Sequence, residues 1–127
     1  MTDRELLELA AKAVAYEIRW NDWRDYGSHT RYFNETTGGY WNSLFDDAQT
    51  LRLSVLLSVD ISHNDCQDNN LYVCVHRKGI EMCYGPIKII EEFEDEKHRL
   101  YATRRAIVRA AAEIGKEIKN ERTNSRT

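Results

Sequence analysis

At 127 residues, with 42% hydrophobic content and a single proline, the chain has the size and apolar fraction of one folded domain and not of a disordered segment. A net charge of -3 argues against a protein that lives on nucleic acid, which is usually basic overall. No apolar run is long enough to span a bilayer, and Met1-Thr-Asp-Arg-Glu5 leads straight into an amphipathic pattern instead of a secretory signal, so a cytoplasmic protein is expected.

Thr2-Asp-Arg-Glu5 matches a capping box, in which a Thr hydroxyl accepts from the amide three residues on and Glu5 reaches back. Leu6, Leu9, Ala10, Ala13 and Val14 follow at helical spacing and predict a first helix to about residue 15. Tyr16, Ile18 and Trp20 alternate with polar residues, the pattern of a strand ending near Trp23. Residues 24–40 set Tyr26, Tyr32, Phe33 and Tyr40 among Gly, Ser, Thr and Asn. They read as a long aromatic loop with room for a short strand, and loops of that length are uncommon unless functional.

Trp41-Asn-Ser-Leu-Phe-Asp-Asp47 is expected to open a second helix. Leu44, Ala48, Leu51 and Val55 form one face of it, while Leu53 and Leu57 point almost oppositely. A helix apolar on two sides lies between layers or covers a subunit interface, which predicts a homo-oligomer. Val59 and Ile61 suggest a strand leaving this helix, and 63–70 a polar turn. Leu71 to His76 and Ile80 to Tyr84 predict a hairpin around Arg77-Lys-Gly79, with Ile87, Ile89 and Ile90 extending the pairing. After the acidic run Glu91 to Glu96, a last helix buries Leu100, Thr103, Ile107, Ala110, Ala111, Ile114 and Ile118. The predicted class is therefore α+β: a mostly antiparallel sheet of about four strands with three helices packed mainly on one face. Residues 1–120 form one domain and 121–127 a frayed polar tail.

Charge is unevenly spread. Residues 97–127 hold nine Lys/Arg and three Asp/Glu, leaving nine and eighteen for the first 96 residues. Cations suit the C-terminal half of a helix and pair with an acidic remainder, which accounts for the asymmetry without a ligand. On the last helix, Arg109 and Glu113 are spaced for an i,i+4 pair. Arg104 borders the apolar stripe, so a half-buried guanidinium there needs an acceptor such as Asp46, Asp47 or the acidic run.

Several chemistries can be weighed from residue types alone. His63, Cys66, Cys74, His76 and Cys83 are zinc-ligand types within twenty-one residues, but there is no Cys-x-x-Cys knuckle, and no metal or cofactor is assigned. The three cysteines, odd in number and without an export signal, read as free thiols. Asp46 and Asp47 could hold magnesium or act as acid and base. At the start of a helix, however, an Asp caps free amides, and Asp46 with Gln49 fits a capping box. No phosphate loop, dinucleotide fingerprint, nucleophile elbow or zinc-protease motif occurs. The strongest lead is aromatic: Trp20, Trp23, Tyr26, Tyr32, Phe33, Tyr40 and Trp41 fall within twenty-two residues, interleaved with Arg19, Arg24, Arg31 and His29. Tyr, Trp and Arg dominate binding hot spots, and rings of this kind also stack on bases.

Three segments carry a resemblance: Met1 to Ala13 with Ile18-Arg-Trp20, Trp41 to Asp47 with Leu51-Arg-Leu53, and Tyr101 to Gly115. In order and wording these resemble small uncharacterised accessory proteins of tailed bacteriophages and prophages, over somewhat under half the chain. The family has Pro after Trp-Asn more often than Ser, so Ser43 departs from it. The resemblance implies a protein acting in the cytoplasm of an infected bacterium on a host component, including defence systems. The leading expectation is thus a non-catalytic binder whose contacts are Trp23, Tyr26, Tyr32, Tyr40, Trp41, Arg104 and Arg105. One alternative is a nucleotide-type small-ligand binder, with Trp41 and the tyrosines stacking the base and Arg104 or Arg105 meeting phosphate. A second is a metal-dependent enzyme using Asp46, Asp47 and a histidine.

Overall fold

The computed structural model describes residues 1–20, 32–64, 70–77 and 86–124, with the side chains of 119–124 left aside. Three helices and two three-stranded antiparallel sheets make an α+β fold. The expectation of one sheet of about four strands is corrected by this division.

Helix α1 (Asp3–Ala13) starts as its capping box requires. The Glu5 amide donates to the Thr2 hydroxyl at 3.1 Å, and the Thr2 amide donates to the Glu5 carboxylate at 3.2 Å. Leu6, Leu7, Ala10 and Ala11 form its buried face. The chain then reverses through Ala15, at φ 57°, into the first sheet.

That sheet joins β1 (Ile18–Trp20), β2 (Tyr32–Asn34) and β3 (Tyr40–Trp41) in chain order. Ile18 pairs with Asn34 and Trp20 with Tyr32, while Tyr32 pairs with Trp41 and Phe33 with Tyr40. The β2–β3 reversal is built on Asn34, whose side-chain oxygen accepts from the Thr36 and Thr37 amides at 2.9 and 3.2 Å. Gly38 and Gly39 follow at φ 77° and 100°, a left-handed path that favours glycine. Two strands thus occupy the region expected to be mainly loop. Trp41, expected to open a helix, belongs to β3.

Helix α2 (Asp47–Leu57) begins only after Asp46, whose carboxylate accepts from the Gln49 amide at 2.9 Å. Leu53 and Leu57 are buried, while Leu51, Val55 and Leu56 are exposed. The second sheet runs β4 (Asp60–His63), β5 (Leu71–Arg77) and β6 (Ile87–Phe93). The strand returning from β5 is therefore Ile87–Phe93, with Leu71 opposite Phe93 and Arg77 opposite Ile87. The predicted return strand Ile80–Tyr84 lies outside the described residues.

Helix α3 (Arg99–Asn124) is the hub, packed on β5 and β6 and flanked by α1 and α2. Ala102, Ala106, Ile107, Val108, Ala110, Ala111, Ala112 and Ile114 are buried along it, facing Val73 and Val75 of β5 among others. Leu100, expected in this stripe, is exposed, because it lies in the first turn, ahead of the point where the core begins. Glu91 shares the inward face of β6 and accepts from Arg109 at 2.6 Å, with Arg105 at 3.7 Å. Arg109 therefore pairs across elements and not with Glu113 as its spacing predicted.

Candidate functional site

The residues between β3 and α2 are fixed by short polar contacts that leave a cleft beside them. In a two-residue edge strand, alternate backbone groups point away from the sheet. The Tyr40 carbonyl and the Asn42 amide do so here. Gln49 meets both: its side-chain NH2 donates to the Tyr40 carbonyl at 2.9 Å, and its oxygen accepts from the Asn42 amide at 2.6 Å. One glutamine thereby stands where a next strand would pair. Asn42 accepts from the Leu44 amide at 3.1 Å, and the Thr50 hydroxyl donates to the Ser43 and Asp46 carbonyls. Arg104 locks the segment from α3, donating to the Leu44 carbonyl at 2.9 Å and to Asp47 at 2.8 Å.

The cleft itself has a volume of about 310 Å³ and lies between the β2–β3 turn and α2. Tyr16, Tyr40 and Trp41 supply its aromatic wall, Thr37 and Gly38 one rim, and Asp46, Gln49 and Arg52 the helix side. Trp41 is only 3% exposed and stands edge-on to Tyr16 with ring centroids 6.2 Å apart. Tyr40 is 38% exposed. Its ring meets that of Phe33, opposite it in β2, edge-on at 6.2 Å.

The residues expected to bind fall into four groups. Tyr40 and Trp41 share the cleft, the first as an accessible ring and the second as part of its floor. Tyr32, expected to be partly open, is 3% exposed and packs edge-on against Trp20 at 5.0 Å. Arg104 and Arg105 are already held by carboxylates: Arg104 on Asp47, Arg105 on Asp3 at 3.1 Å and on Glu91. Trp23 and Tyr26 lie outside the described residues. Gln49, Tyr16 and Arg52 escaped the sequence reading. A glutamine three residues after a capping Asp reads as a cap partner, and an arginine between two leucines reads as a solvated helix charge.

Asp46 and Asp47, the candidate metal or acid–base pair, both have structural employment, as helix cap and as the partner of Arg104. Cys74 and His76 lie on the outward face of β5, two residues apart as their spacing implies. Cys66 and Cys83 lie outside the described residues, and His63 pairs with Val73, which faces inward. Among the described residues no three His, Cys, Asp or Glu side chains gather as a metal site. A second depression, of about 420 Å³, opens on the outward face of the β4–β6 sheet, but Lys88 and Glu92 give it a polar lining with Tyr72 as its single aromatic residue among those described.

One electrostatic cluster ties α1 to the first sheet. The Tyr32 hydroxyl donates to Glu8 at 2.6 Å, Arg4 donates to the same carboxylate oxygen at 3.3 Å, and the Arg4 guanidinium lies 4.1 Å from the centre of the Trp20 ring. Burial, then the bond to Glu8, raises the Tyr32 hydroxyl well above its ordinary range. A neutral acid whose folded-state pKa is raised supplies stability that is fully present below the unfolded value, about 10 for Tyr. That stability is lost as pH climbs through the folded value. Wild type is expected to lose stability above about pH 10 more steeply than Tyr32→Phe in denaturant titrations. Parallel curves would contradict this role. At neutral pH the Phe variant should be weaker by about 1 kcal/mol, the net value of one hydrogen bond.

No protein-family model, curated protein or solved structure matches this chain. Among the described residues no helix is long and apolar enough to cross a membrane.

Proposed function

We propose that the protein is a non-catalytic binding protein that docks a partner protein in the cleft between the β2–β3 turn and α2. The observation that carries this reading is Tyr40, an accessible ring at a concave site that Tyr16 and Trp41 also line, its backbone carbonyl held by Gln49. Rigid aromatic rings beside a pocket are the usual anchors of protein interfaces. Phe45, Leu51, Val55 and Leu56 are exposed around the same helix and enlarge the apolar surface offered to a partner or to a second copy of the chain. The resemblance to phage and prophage accessory proteins supports a host component as that partner, with host defence among the targets. A nucleotide-type ligand is less well supported. Trp41 shows little ring face to solvent, and the arginines expected to meet phosphate are already paired.

The test is capture of a host protein by the wild-type chain, with Tyr40→Ala and Glu92→Ala as parallel baits. Glu92 lies on the far sheet face and serves as a control. Tyr40→Ala should stay within about 1 kcal/mol of wild-type stability, as surface changes usually do, yet lose the captured protein. Glu92→Ala should keep it. Equal capture by both variants would remove the cleft from consideration.

A further inference from the structure

Seven of the described arginines other than Arg52 are Arg4, Arg19, Arg77, Arg99, Arg104, Arg105 and Arg109. Six of these meet a carboxylate, on Glu8, Glu35, Glu96, Asp47, Asp3 and Glu91 respectively, and Arg77 has an interaction of its own. Arg52 differs. Among the described residues it has no ion pair, although the chain carries more acids than bases, and it lies in the wall of the aromatic cleft beside Tyr40. A guanidinium offers five donors in a rigid fork that matches a carboxylate. Here that fork is left to the occupant of the cleft.

Asp46 is the other charged group of the cleft, six residues earlier at the N-cap of the same helix, or about 9 Å along the axis. Its carboxylate accepts from the Gln49 amide and caps α2. The nearby Asp47 is held by Arg104. Positive and negative ends are therefore separated along one wall, and an acidic side chain is welcomed at Arg52 and repelled at Asp46. That polarity sets the direction in which an extended segment can lie.

We propose, resting on the docking role of the cleft, that it takes a peptide segment of the partner carrying an Asp or Glu beside an apolar residue. The carboxylate meets Arg52 and the apolar side chain packs on Tyr40.

A random dodecapeptide display library selected on the intact wild-type protein provides the test. Selected peptides should share an acidic residue next to an apolar one. The consensus peptide should bind Arg52→Gln about tenfold more weakly, the loss expected for one charge-assisted contact. Its affinity for wild type should also fall with added salt. Changing its acid to the amide should cost a similar factor. A consensus without an acid, or one that binds Arg52→Gln as well as wild type, overturns the inference. If those peptides still lose affinity on Tyr40→Ala, the docking cleft survives and only the carboxylate preference fails. Peptides indifferent to both substitutions, or no selected peptide at all, count against the cleft and the inference together. Both variants are surface changes, and matching melting curves exclude misfolding as the cause.

Discussion

Gly115→Ala should destabilise the protein by about 3 kcal/mol or more, although the same change in an exposed helix stabilises by about 1 kcal/mol through helix propensity. At position 115 α3 passes against the α1 backbone at Leu9. A Cβ there would stand 2.8 Å from the Leu9 carbonyl carbon and nearer still to its oxygen. The obstacle is backbone, so no side-chain rotation relieves it. Helix α1 would have to retreat, opening the layer in which Leu6, Leu7, Ala10 and Ala11 meet Ala106, Ala110 and Ala111. Overpacking of well-packed cores commonly costs 1–3 kcal/mol, about the upper end when the main chain must move. The melting temperature should fall by roughly 10 °C in circular dichroism, at about 4 °C per kcal/mol for a domain of this size. A Gly115→Ala protein that melts at or above the wild-type temperature would show that the two helices are not in this contact.

Trp41→Ala should cost about 3–5 kcal/mol, the range for removing a buried Trp or Phe. Trp41 joins the core cluster, packs edge-on against Tyr16 and lies opposite Tyr32 in the sheet. Its loss would empty the junction between the first sheet and the start of α2. Tyr40→Ala, one residue away, should change stability several-fold less. Chemical denaturation of the two variants separates a core residue from a surface residue. Similar midpoints for both would contradict the assignment of Trp41 to the interior.

The elements legible in the sequence were those with long periods or specific end chemistry. The capping box at Thr2 and Glu5, the Asp46 cap and most of the buried stripe of α3 could all be read from spacing. The first sheet could not, because strands of two or three residues are too short to show a period of two. The pairing of Ile87, Ile89 and Ile90 with β5 is as their spacing predicts, while 80–84 lies outside the described residues. Strand β6 runs on to Phe93 and takes in the start of the acidic run, with the half-buried Glu91 carboxylate meeting Arg109. At the candidate site, the aromatic-rich stretch includes two residues that line the cleft, Tyr40 and Trp41. Which ring faces water depended on strand register, which buries Trp41 and exposes Tyr40. The need of Arg104 for an acceptor followed from its position beside the apolar stripe, and Asp47 is one of the acceptors its position offered. Arg52 gave no such signal, since a charge without an ion pair among the described residues is defined by what its neighbours fail to offer.

The account rests on where a partner sits. Hydrogen exchange measured on the protein with and without its captured partner maps that footprint directly. Protection should concentrate on residues 37–41 and on the turns of α2 around Gln49 and Arg52, with the β4–β6 sheet unchanged. Protection confined instead to the outward face of that sheet, around Tyr72, Lys88 and Glu92, would place the interface on the opposite side and contradict the docking cleft.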